Sequence, residues 1–148
     1  MAREVRLWEW MREGLRGVGG LHMVRVENMA SVGDPDVEGC YRGDYFEVEL
    51  KGCDRPKRPD SILDFEVRRS QLIYHRERSR CGGNTWLYAR VGADRAIRRY
   101  LVPGCHVYDV DWPRLTEARL ADLAALSGLP PIHSVLELLD RISKRYKS

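Results

Sequence analysis

The chain has 148 residues, with 25 basic and 22 acidic side chains for a net charge of +3, and 43% of it is hydrophobic. That length suits one domain with a sizeable core, and the apolar runs are too short to span a membrane. MAREVRLWEW threads charges through the N-terminus where a signal segment would be apolar, so the chain is expected in the cytoplasm.

In chain order, residues 3 to 16 have helical periodicity, with Leu7, Trp8, Met11 and Leu15 in one stripe that also contains Glu4. GVGG ends this helix, and LHMVRVEN (21–28) alternates as a strand. A turn at 31–35 leads to DVEGCYRG, and a tight turn around Gly43-Asp44 opens YFEVELKG, so the two strands read as a hairpin. The segment 53–67, with two prolines and dense charge, reads as a loop long enough to suggest function or mobility. SQLIYHRERSR reads as a helix closed by CGGN, then TWLYARVG and IRRYLVPG as strands. Beyond Trp112-Pro113 two helical patterns follow, separated by a Pro-Pro break. The predicted fold is α/β, a mixed sheet flanked by helices, with a core over about 3–102 and a C-terminal helical extension over about 113–146.

Cys40, Cys53, Cys81 and Cys105 form no C-x-x-C pair and have no histidine at finger spacing, which predicts reduced thiols rather than a zinc site.

The chemistry concentrates in GDPDVEGCYRGDYFEVELKG (33–52). Alternation puts Glu47, Glu49 and Lys51 on one strand face and Phe46, Val48 and Leu50 on the other. Glu49 and Lys51 then lie about 6.5–7 Å apart along the strand. A register centred on the turn brings Asp36 opposite the end of this strand. Two carboxylates, an ammonium and the Leu50 carbonyl thus gather at one end of one hairpin, a set suited to Mg²⁺. Glu4, on the inward face of the first helix, needs a partner that such a metal would supply. The plainer reading of the same residues is a solvated Glu-x-Lys face, a turn aspartate and a frayed terminal glutamate.

Pro35-Asp36, a short hairpin and Glu49-Leu50-Lys51, preceded by a glutamate-bearing helix, resemble the PD-(D/E)XK nuclease signature. G-x-PDVEG, ELK and a following helix that starts with Ser70-Gln71 resemble its VRR-NUC branch and phage-encoded members, which are similar to Holliday junction resolvases. The likeness spans about residues 3 to 92. It implies a restriction-endonuclease-like core and an Mg²⁺- or Mn²⁺-dependent endonuclease acting on DNA, possible as a homodimer, in a bacterial or phage-infected cell. Asp36, Glu49 and the Leu50 carbonyl would ligate metal, with Glu4, or else Glu27, as the further carboxylate. Lys51 would be the catalytic lysine, and Gln71 a helix-borne polar residue reaching the site. The alternative is a module that binds nucleic acid on the same fold without cleaving it.

Eight basic residues against four acids between Arg55 and Arg80 place a positive surface beside this site. Arg55, Lys57, Arg58, Arg68, Arg69 and Arg76 are the expected DNA contacts, and Tyr74 and His75 are candidates for stacking or phosphate contacts.

Overall fold

The computed structural model describes residues 2–26, 35–124, 126–127 and 139–142, apart from the side chains of residues 2–5, 94, 126 and 127. Helix α1 (Ala2–Gly14) buries Leu7 and Met11, with Leu15 just beyond its end, on one face of the sheet. Trp8 and Trp10 pack at the margin of that stripe.

Three strands follow: β1 (Leu21–Arg25), β2 (Val37–Tyr41) and β3 (Asp44–Cys53). Helix α2 (Arg69–Arg80) carries the chain over the sheet to β4 (Thr85–Val91), and β5 (Arg98–Pro103) returns beside it. The sheet runs in sequence order, antiparallel throughout except for the β3–β4 pair, which is parallel because α2 is its crossover. Its two faces carry separate cores. Phe46, Val48, Leu50, Trp86, Tyr88 and Leu101 lie under α1, whereas Cys53, Leu87, Ala89, Val91 and Val102 pack on the other side with Leu63, Phe65 and Trp112.

Two expectations need correction. The loop at 53–67 is pinned rather than loose: Leu63 and Phe65 are buried, and the Leu63 N–H donates to the Leu115 carbonyl at 2.8 Å. The C-terminal extension is not purely helical. After α3 (Gly104–Val107) and α4 (Glu117–Leu123), β6 (Leu126–Ser127) pairs with β5 and covers part of its open edge. Among the described residues no helix is long and apolar enough to cross a membrane.

Candidate active site

The site is built by the β2–β3 hairpin. Arg42 (φ 50°) and Gly43 (φ 88°) form its two-residue turn, with Tyr41 opposite Asp44. Gly39 lies opposite Phe46, whose ring occupies the space where any Cβ would project. The register ends with Val37 opposite Val48, so Asp36 comes level with Glu49 just where β2 stops.

Even-numbered residues of β3 direct their backbone groups to β2, while Glu47, an odd one, donates its N–H to Asn84 on the β4 side at 2.9 Å. Leu50 is the next even residue, beyond the last residue of β2. Its N–H donates to Asp36 Oδ2 at 2.8 Å. The N–H and C=O of one strand residue point the same way, so the Leu50 carbonyl faces the side from which Asp36 approaches.

Glu47, Glu49 and Lys51 share a face, and that face is not solvated: they are 1%, 1% and 7% exposed beneath α2. Charges buried this deeply need partners. Glu47 has Arg78 Nε at 3.3 Å and the Tyr74 hydroxyl. Glu49 Oε1 accepts from Gln71 Nε2 at 2.6 Å and lies 3.5 Å from Lys51 Nζ. Lys51 Nζ donates to the Glu66 carbonyl at 2.6 Å. Gln71 Oε1 accepts the Arg68 N–H at 2.9 Å, so one amide both caps α2 and fixes the carboxylate.

Glu49 Oε2 is buried with no hydrogen-bond donor. Burial, and then the Asp36 carboxylate, push the Glu49 pKa up to about 8, against the pull of Lys51. Two adjacent carboxylates can instead share one proton, in which case Glu49 donates to Asp36 and the orphaned oxygen is satisfied. A divalent cation would meet the same need. The oxygens at hand, two carboxylates and the Leu50 carbonyl, are hard donors that fit Mg²⁺ or Mn²⁺.

The backbone of Glu4 lies in the first turn of α1; its side chain, and all of Glu27, lie outside the described residues. Among the described residues no group of three or more His, Cys, Asp or Glu side chains could hold a metal.

The basic residues divide into distinct settings. Arg68 and Arg69 are exposed at the start of α2, beside Gln71. Arg55 is tied to Glu117 at 3.0 Å and to the Ala96 carbonyl. With the exposed Lys57 and Arg58 it lines a cavity of about 430 Å³ that also includes Arg98 and Tyr100. Arg76 lies 4.1 Å from the centre of the Tyr108 ring and 3.1 Å from Glu77.

His75, 1% exposed, is not free to stack on a base, whereas the half-buried Tyr74 holds Glu47 through its hydroxyl and has Arg78 5.0 Å from its ring centre. His75 Nδ1 is 2.8 Å from Thr85 Oγ1, and burial, helped by Lys51, lowers its pKa to about 4. It is therefore a neutral imidazole in the wall behind Lys51. That placement was recoverable from its position four residues after Gln71, on the same helix face. The Glu66 carbonyl, a backbone group, had no signal in the sequence.

No family model matches the chain, and no curated protein does. Solved structures do match it. A VRR_NUC domain is matched at 22% identity and a TM-score of 0.43, over 62% of this chain and 85% of that one. The Holliday junction resolvase Hjc of Archaeoglobus fulgidus, an archaeal hyperthermophile, is matched at 16% identity and a TM-score of 0.45, over 88% and 92%. Both TM-scores fall below 0.5, and the chemistry of the site rests on this chain's own side chains.

Proposed function

We propose that the chain is a metal-dependent nuclease that hydrolyses phosphodiester bonds in DNA. The carrying observation is the convergence of Asp36, Glu49 and Lys51 at the open end of one hairpin, with a buried carboxylate oxygen left without a donor. Asp36, Glu49 and the Leu50 carbonyl would hold Mg²⁺ or Mn²⁺, with Glu4 as the further carboxylate. The bound ion would lower the pKa of a water and offset charge on the scissile phosphate.

The protein's own groups do the rest. Gln71 holds Glu49 in one orientation. The Glu66 carbonyl accepts a hydrogen bond from one Lys51 N–H, leaving the others to orient a water or meet charge growing on the phosphate. His75 and Thr85 close the wall behind the lysine. Arg68 and Arg69, exposed beside the site, would receive flanking phosphates.

The test is incubation of the purified protein with four-way junctions, flaps, nicked and plain duplex, in Mg²⁺, Mn²⁺ or EDTA. Cleavage is expected only with metal, and is expected to be lost in Asp36→Ala and Lys51→Ala. Cleavage retained in both variants overturns the assignment. DNA bound but cleaved under no condition identifies a binding module instead. A second copy acting at a junction is part of the proposal, read from size-exclusion chromatography with and without that substrate.

A further inference from the structure

On the α1 side of the sheet, Arg90 of β4 and Arg99 of β5 are directly opposed in the antiparallel register. Their neighbours fix the face: Tyr88 and Leu101, two residues from each, belong to the core under α1, whereas Ala89 and Tyr100 belong to the core beneath α2. Arg90 is 8% exposed and Arg99 5%. Two guanidinium groups that are opposite each other and buried repel, and neither has a carboxylate to neutralise it among the described residues.

Two polar groups here lack the partner that burial demands. Arg99 Nε and the Tyr88 hydroxyl have no hydrogen bond. Arg99 is instead stacked 3.8 Å from the centre of the Trp10 ring, a face contact that does not itself engage the in-plane N–H groups. Burial, and the neighbouring Arg90, lower the Arg99 pKa. Guanidinium N–H groups from two strands, with a phenol hydroxyl beside them, are the donor set that a tetrahedral oxyanion takes.

We infer that Arg90, Arg99 and Tyr88 form an anion site that binds a phosphate group. The site is separate from the candidate active site. Arg90 pairs in register with Gly52, one residue past Lys51, but its side chain lies on the opposite face of the sheet. The phosphate comes either from solution or from a nucleic-acid strand, and the chemistry of capture is the same.

Two binding measurements test this without relying on cleavage. In the first, inorganic phosphate is titrated against the wild type at constant ionic strength, following Trp10 fluorescence and melting temperature. A saturable fluorescence change and a rise in melting temperature are expected. Arg90→Gln and Arg99→Gln should each weaken phosphate binding at least tenfold, and Trp10→Phe should lose the fluorescence change while keeping the thermal one. If either arginine variant fails to fold, the wild type and Trp10→Phe still decide the matter. No saturable response, or one unchanged in the arginine variants, overturns the site. A carboxylate of this chain that already neutralised the pair would give that null response.

In the second, single-stranded oligonucleotides with and without a 5′-phosphate are compared in EDTA. Preference for the phosphorylated strand, lost in Arg90→Gln, identifies a terminal phosphate as ligand. Equal binding of both, weakened in Arg90→Gln, identifies an internal phosphodiester. Binding of free phosphate alone identifies a soluble ligand. A site that survives with no cleavage activity leaves this inference standing and the nuclease reading fallen.

Discussion

Asp36 Oδ2 accepts the Leu50 N–H at 2.8 Å, so a carboxylate does the work of a strand partner at the point where β2 has ended. The bond pins Asp36 beside Glu49 whether or not a cation is present. Asp36→Ala should abolish cleavage. It also orphans the Leu50 N–H, worth about 1 kcal/mol, while relieving repulsion of Glu49, so the melting temperature should barely move. Nuclease assays and thermal melts check the two effects separately.

Glu49 gives the metal-free protein a specific pH dependence. Its folded pKa of about 8 stands above the ordinary 4.5, so the folded state binds the extra proton more tightly. That stability is full below pH 4.5 and is lost as pH rises through 8. His75 acts oppositely: its folded pKa of about 4 against 6.5 costs stability as pH falls below 6.5. Between pH 6.5 and 8 only Glu49 of these two changes, and stability in EDTA should fall there by on the order of a few kcal/mol. Glu49→Gln should flatten the slope, as should Mg²⁺ on the wild type. Denaturant melts at several pH values measure it.

Lys51 opposes the rise in the Glu49 pKa. Lys51→Met should therefore raise that pKa further and extend the pH-dependent loss of stability to higher pH. The same variant should have no measurable cleavage. A pH-stability profile indistinguishable from wild type would contradict the 3.5 Å Lys51–Glu49 contact.

Gln71 joins the cap of α2 to the Glu49 carboxylate. Gln71→Ala should lower activity or metal affinity about 10- to 100-fold, the usual effect of losing a group that orients a ligand. Calorimetric titration with Mn²⁺ would register the affinity loss, and circular dichroism should show α2 largely kept.

Gly39→Ala places a methyl group into the Phe46 ring. The hairpin must shift or the ring must leave the core, at a cost of about 1–3 kcal/mol. Asp36 lies three residues away, so activity should fall along with stability, and chemical denaturation with parallel assays would reveal both.

Much of this arrangement was legible in the sequence because strand alternation and turn chemistry are local. The phases of Glu49, Lys51 and Leu50 follow from a period of two, and the tight turn expected around Gly43-Asp44 lies one residue earlier, at Arg42-Gly43, in a register that puts Asp36 level with Glu49. Less legible was that the Glu47–Lys51 face is buried, since that depends on α2 crossing over it. His75 was misread for this reason, and the bond from Tyr74 to Glu47 had no signal: the partners, Thr85 and Glu47, lie on strands that meet α2 only after folding. The β5–β6 pairing was invisible because a two-residue strand has no period to detect.

The oxygen that grips Lys51 belongs to the peptide group of residue 66, not to its side chain. A saturation scan would score position 66 as permissive, since most replacements carry the same carbonyl, while a deletion or insertion between 60 and 68 would displace it. Tolerance to substitution and intolerance to length change would then coexist in one loop, and a record of point changes alone would miss the contact that steadies the amine.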